Sequence, residues 1–308
     1  MQIVISEFMD ERAVAQLRER HTVVYEPTLV DDAQRMLQQA ASADVLIVRN
    51  RTQVRGDLLA ALARCKVVGR LGVGLDNIDV PACEARGIRV IPATGANALS
   101  VAEYVIAASM LLLRGAFTSS AAVAAGKWPR NALGNGRETA GKVLGIIGFG
   151  SIGRTVATLA RGLGMQVSAY DAMLAADAPA FHDCGVQYVP LQQLIQQSDV
   201  LTLHVPLVES TRGLFDAARI AAMKRGAVLI NTSRGHIVDL AAVTAALRSG
   251  HLGGAAIDVF DTEPLAADAR LQDCPNLLLT PHISGVSAES NERVSFLIAQ
   301  KVLEALQS

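Results

Sequence analysis

Along the first third of the chain, short runs of aliphatic and β-branched residues recur at Ile3-Val4-Ile5, Val23-Val24-Tyr25, Val45-Leu46-Ile47-Val48, Val67-Val68 and Arg89-Val90-Ile91, with mixed stretches of helical length between them. Continuous apolar runs of this length suit strands buried in a parallel sheet, and their alternation with helices predicts a sheet wrapped by helices. A second series follows at Val143 to Ile147, Gln166 to Ala169, Val200 to Leu203, Ala227 to Ile230, Ala255 to Ile257 and Leu277 to Leu279. The pattern therefore predicts two α/β units.

Between the two series, Ser100-Val101-Ala102-Glu103 reads as a capping box, the serine oxygen taking an orphan amide while the glutamate reaches back, so a helix is expected to start there. It would carry Val101, Tyr104, Val105, Ala108, Leu111 and Leu112 along one side, as a crossover or an oligomer contact. Gly115 to Gly141 is expected to be irregular; within it Lys127, Trp128, Pro129 and Arg130 suit either a substrate cleft or packing between subunits. Near the end, Ala288 to Leu306 places Val294, Leu297, Ile298, Val302 and Leu306 at helical spacing, a helix able to fold back onto the first unit.

Composition narrows the class. The 308 residues leave room for two domains of roughly 150 residues each, and 51% hydrophobic against 19% charged residues excludes a disordered chain. With 28 basic and 29 acidic side chains and no basic stripe, nucleic acid is not an expected partner. The longest apolar stretch, Tyr104 to Leu113, is about half of the ~20 residues a bilayer span needs, and Met1-Gln2-Ile3 opens without a basic leader. The expectation is a cytoplasmic protein with no membrane partner. Cys65, Cys83, Cys184 and Cys274 lie far apart with no Cys-x-x-Cys, which predicts reduced thiols and no metal site.

Gly148-Phe149-Gly150-Ser151-Ile152-Gly153 follows an apolar strand and precedes a helical stretch. In that context Gly148 permits the tight turn, Gly150 lets a diphosphate approach the backbone, Gly153 lets helix and strand pack, and the helix N-terminus offers free amides. Asp171 ends the next strand, near the offset at which a carboxylate meets the adenosine ribose and repels a 2′-phosphate. No Arg or Lys follows in Ala172-Met173, so NAD is expected over NADP.

Three later segments also end strands: Asn231-Thr232-Ser233-Arg234-Gly235, Asp258 through Glu263-Pro264, and Thr280-Pro281-His282. An Arg, a carboxylate and a His beside a nicotinamide are the groups that hydride transfer at a carbinol carbon needs. His282 would move the proton at the substrate oxygen, Glu263 would orient its ring, and Arg234 would clamp a carboxylate. Each residue alone is equally readable as a surface cation, a loop acid or a turn cap.

With these segments in place, the chain resembles the D-2-hydroxyacid dehydrogenase family along essentially its whole length, on Gly148 to Gly153, His204-Val205-Pro206, Asn231 to Gly235, Asp258-Val259-Phe260, Glu263-Pro264 and Pro281-His282. The resemblance implies two Rossmann-like doubly wound parallel-sheet domains. The NAD-binding domain (99–285) would be inserted into a discontinuous substrate domain (1–98 and 286–308), usually in a homodimer. It implies that Arg234, Glu263 and His282 are catalytic and that Ser151 and Ile152 meet the diphosphate. It places Asp171 on the ribose, His204, Pro206 and Thr211 around the adenine side, and Thr232 and Asp258 by the nicotinamide. For His204, which also suits a strand cap, contact with cofactor is expected rather than proton transfer.

On the substrate side, the family offers amides from the loop at Val73 and Gly74 as an anion nest, and a position matching Asn97 faces the substrate. Arg49 and Arg51, flanking Asn50 after a strand, would project to one side and imply a second substrate anion, with a solvated surface pair as the alternative. Phospho-, sulfo- and carboxy-substituted acids are the candidates. An end at Ser308, short of the regulatory domain that some serine-biosynthetic members carry, points toward a catabolic relative. Rivals on the same fold are a formate dehydrogenase, whose histidine partner is an amide where Glu263 stands here, and an NADH-sensing binding protein.

Overall fold

In a computed structural model, which describes residues 1–307, the apolar runs become strands of two parallel sheets, fully buried at their centres and half-buried at edge strands such as Thr22–Tyr25. The first series forms β1 (Gln2–Ile5), β2 (Thr22–Tyr25), β3 (Val45–Val48), β4 (Val67–Arg70) and β5 (Arg89–Pro92), paired in parallel in the order β2-β1-β3-β4-β5. The second forms β6 (Val143–Ile147), β7 (Gln166–Tyr170), β8 (Gln187–Tyr188), β9 (Val200–Leu203), β10 (Val228–Asn231), β11 (Gly254–Ile257) and β12 (Leu277–Leu279). These too are parallel, in the order β12-β11-β10-β9-β6-β7-β8. Every residue of β3, β9, β10 and β11 is buried.

Two compact units result, one from Met1–Asn97 with the chain from Val286 onward, the other from Ala98–Gly285. Each sheet has apolar clusters on both faces, the doubly wound α/β arrangement. In the first unit, Ala13, Val14 and Leu17 share a core with Val294, Ile298 and Val302 of the last helix, Ala288–Ala305. Leu29, Met36, Leu59 and Leu62 share the other. In the second unit the helix Ala98–Arg114 brings Val101, Val105, Ala108 and Leu112 against Val156, Ala157 and Ala160, while Leu194, Ile220, Val243 and Leu247 fill the opposite core.

Five helix starts are fixed by aspartates: Asp10, Asp32, Asp79, Asp216 and Asp239 each accept an amide from the first turn that follows. The expected start at Ser100 is corrected. The turn at residues 94–97 runs straight into a helix that begins at Ala98, which leaves Ser100 buried in its first turn. The stretch 115–141 is not wholly irregular either: it holds a 3-10 turn, Ala116–Ser119, and a short helix, Ser120–Ala124, where alanines supply helix propensity. Strand β8, with two residues, is too short to leave a periodic trace in sequence. Among the described residues no single helix is long and apolar enough to cross a membrane, and all four cysteines are free.

Candidate active site

Parallel strands end on the same edge, so every segment that leaves a strand of the second sheet emerges there. Strand β6 lies between β7 and β9, where the order of the sheet reverses and a crevice opens at the strand ends. Out of β6 comes the glycine turn. Gly148 has φ +93° and a Cβ on it would lie 2.3 Å from the His204 carbonyl oxygen, while a Cβ on Gly153 would lie 2.3 Å from the Gly148 carbonyl oxygen. A Cβ on Gly150 would meet nothing within 4 Å. The first and third glycines are thus required by the protein's own backbone, and the second faces open space. The helix Ser151–Gly162 starts directly behind it, its first amides available to an anion.

Asp171, at the end of β7, is tied to this turn: one carboxylate oxygen accepts the Phe149 amide at 2.7 Å and the other the Met173 amide at 2.8 Å. His204 follows β9 with Nε2 3.0 Å from Thr202 Oγ1, and burial pushes its imidazole down to about 3, so it is neutral at ordinary pH. That state does not suit proton transfer. The Thr211 hydroxyl is engaged inside its own loop, donating to the Pro206 carbonyl at 2.7 Å and accepting the Val208 amide at 2.9 Å. These two bonds organise the loop. Thr232 Oγ1, just past β10, is buried with no hydrogen-bond partner. A buried orphan hydroxyl is costly unless a ligand satisfies it, and together with the open face of Gly150 it fits a bound dinucleotide.

Arg234 caps the 3-10 turn Gly235–Ile237 after β10, half-buried, with Nη1 donating to the Ser233 carbonyl at 2.5 Å. Glu263 lies in the loop after β11 and His282 in the segment after β12. The sheet brings the last two together: His282 Nδ1 is 2.7 Å from Glu263 Oε2, while Glu263 Oε1 accepts the Phe260 amide at 2.9 Å. A carboxylate accepts only, so Nδ1 carries the proton and Nε2 is left for another partner. His282 has φ +52°, a left-handed conformation that residues other than glycine seldom adopt.

Asp258, expected beside the nicotinamide, is fully buried and tied to the histidine segment. Its Oδ1 accepts from Thr280 Oγ1 at 2.6 Å and the Ile283 amide at 2.9 Å, its Oδ2 from the Ser284 amide at 2.9 Å, and its carbonyl from the His282 amide at 2.8 Å. The carboxylate holds the histidine segment, because a buried charge is retained only where donors surround it.

In the first unit the pair Arg49 and Arg51 does not share a face. Alternation requires an extended strand, but β3 stops at Val48 and the chain bends over residues 50–52. Arg51 turns outward and pairs with Asp31. Arg49 stays half-buried, its guanidinium over the Phe8 ring and 2.6 Å from Asn291 Oδ1; burial lowers it from the ordinary arginine value, with Glu7 opposing. Beneath the bend, the Glu7 carboxylate accepts the amides of Arg49, Arg51 and Thr52 at 2.8, 3.1 and 3.0 Å. Val73 and Gly74 are half-buried in the turn after β4, and Asn97 Oδ1 is buried without a partner.

Glu7 escaped the sequence reading, although a polar Ser6-Glu7 immediately after an apolar strand is a signal for a residue at the functional edge. Asp31 and Asn291 gave no local signal, lying 20 and 242 residues from the arginines they meet.

Comparison with known proteins bears on the same segments. Residues 106–284 match the family described as D-isomer specific 2-hydroxyacid dehydrogenase, NAD binding domain. The chain is 51% identical over 304 residues to an (S)-sulfolactate dehydrogenase of Chromohalobacter salexigens, covering 99% of this chain and 98% of that one. It is 40% identical over 265 residues to a hydroxypyruvate reductase of Thermotoga maritima, covering 85% of each. Among solved structures it is similar to the TT0316 protein of Thermus thermophilus, with a TM-score of 0.89 and 31% identity over 100% of this chain and 97% of that one.

Proposed function

This chain belongs to the D-isomer specific 2-hydroxyacid dehydrogenase family and carries its NAD-binding domain, and from that premise we propose that it interconverts a 2-hydroxy acid and its 2-oxo acid, the substrate bearing a second anion of the sulfonate kind. NAD, when bound, supplies or takes up the hydride. The open face of Gly150, the first amides behind it at Ser151 and Ile152, Asp171 and the orphan Thr232 hydroxyl are the groups that would hold it. His204 and Pro206 line the same edge after β9.

One observation carries the reaction class at this site: the His282–Glu263 pair at 2.7 Å, on the strand edge that also bears the glycine turn. Glu263 fixes the ring through Nδ1, so Nε2 gives its proton to the 2-oxo oxygen in reduction and removes it from the 2-hydroxyl in oxidation. Protonated, the imidazole is balanced by the adjacent carboxylate. Arg234 takes the substrate carboxylate and draws charge toward the reacting carbon. Within the first unit, the amides of Val73 and Gly74 are donors suited to a carboxylate, and Asn97 Oδ1, buried without a partner, is an acceptor suited to a hydroxyl.

Within the first unit, Arg49 is the group proposed for a second anion. The reading is supported by a half-buried guanidinium whose short side-chain hydrogen bond goes to a neutral amide, and by the 51% identity to a protein named for sulfolactate. Arg51, already matched by Asp31, is left out of the site. The enzyme works as a homodimer through the second unit, where Met110, Phe117 and Trp128 are 42%, 63% and 77% exposed; sedimentation at twice the chain mass checks this.

The deciding assay follows NADH absorbance with sulfo-, phospho- and carboxy-substituted pyruvates, hydroxypyruvate and glyoxylate. The highest kcat/KM is expected for the sulfo acid. A preference for hydroxypyruvate would replace the substrate assignment, and NADH binding without turnover of any acid would favour a sensor.

A further inference from the structure

The helix Ala98–Arg114 sends one polar group toward the histidine segment. Tyr104 Oη lies 2.7 Å from Thr280 Oγ1, which in turn donates to Asp258 Oδ1 at 2.6 Å. The direction of this chain is fixed by counting protons. A threonine hydroxyl has one to give, and a carboxylate accepting three donors has none. Thr280 gives its proton to Asp258, so it can only accept from Tyr104, and the phenol is the donor.

What the chain holds is a single strained residue. His282 sits at φ +52°, a conformation that persists only when its surroundings over-determine it. Those surroundings are here: the His282 amide on the Asp258 carbonyl, and the next two amides on the Asp258 carboxylate. The Asp258 side chain is the hub, and Thr280 is its side-chain donor. A tyrosine ring alone would fill the helix face; the hydroxyl, half-buried and aimed at Thr280, has no packing purpose. Burial raises the phenol above its usual value, more than Thr280 lowers it, so the proton stays on Tyr104 throughout the range of an assay.

We propose that Tyr104 is a positioning residue for His282, its hydroxyl orienting the Thr280–Asp258 pair that keeps the histidine backbone left-handed and the imidazole in place. It touches no reacting atom and acts through the segment. The inference rests on the role given to His282 above.

Tyr104→Phe, Thr280→Val, the double variant and Thr280→Ser test it. Loss of one buried hydrogen bond predicts a kcat about three- to tenfold lower in Tyr104→Phe and in Thr280→Val, with KM for NADH within about twofold of wild type. The double variant should be no worse than the poorer single one, because both cut the same chain, and Thr280→Ser should restore activity. In protein without nucleotide, the Ile283 and Ser284 amides should exchange hydrogen about fivefold faster in Tyr104→Phe. An unchanged kcat and unchanged exchange in Tyr104→Phe, or effects that simply add in the double variant, would overturn the proposal. Should wild type turn over no acid at all, the dehydrogenase reading fails, and exchange alone then decides the brace.

Discussion

At the scale of single residues, the two arginines that look alike in sequence are separated by their partners. Arg51 is neutralised by Asp31, whereas Arg49 is half-buried against an amide and a ring. A charge-assisted hydrogen bond to substrate contributes about 1.5–3 kcal/mol. Arg49→Ala is therefore expected to raise KM for the sulfo acid roughly 10- to 100-fold while leaving lactate nearly unchanged, and Arg51→Ala to alter neither; steady-state kinetics on both acids separates the cases. His282→Ala should lower kcat by about 10² to 10⁴ with NADH affinity retained, measured by fluorescence titration. His204 makes a different prediction. Its folded value, about 3, lies below the ordinary ~6.5 of imidazole, so protons favour the unfolded chain. Its stabilisation is complete above about pH 6.5 and is lost as pH falls toward 3. His204→Gln should therefore lose less Tm on acidification than wild type; parallel Tm-against-pH curves would contradict that.

At the scale of elements, the glycine turn separates folding from binding. A Cβ at position 153 would lie 2.3 Å from backbone, a contact that must be relieved, so Gly153→Ala should cost about 1–3 kcal/mol, or roughly 2–4 °C of Tm per kcal/mol in a domain of this size. At position 150 a Cβ meets nothing, and φ is −77°. Gly150→Val should leave Tm nearly unchanged yet weaken NADH by more than about tenfold, since displacing the diphosphate by 1.4 kcal/mol suffices. Calorimetry and titration on the pair distinguish the roles; a Tm loss at position 150 as large as at 153 would refute the separation. The histidine segment is an element in the same sense. Four residues after β12 are shaped by one buried aspartate, and neither Asp258 nor Tyr104 looks in sequence like part of a brace.

At the scale of the whole molecule, the proposal that the Asp171 carboxylate, fixed to the turn by the Phe149 amide, selects the nucleotide has a direct test. NADH should be preferred over NADPH by at least about tenfold, and Asp171→Ala should narrow that ratio by removing the repulsion of a 2′-phosphate. An unaltered ratio in that variant would shift the discrimination elsewhere. The parallel sheets, the glycine turn and the identity of the three strand-end segments could be read from the chain because they depend on local periodicity and on residues within one turn of each other. The start of the helix at Ala98, the bend after β3 and the partners of Arg49, Arg51 and Asp258 could not. Those outcomes were decided by which distant groups the folded chain brought within hydrogen-bond reach, and a charge takes its role from its nearest partner in space, a distance of a few ångströms that spacing along the backbone does not encode.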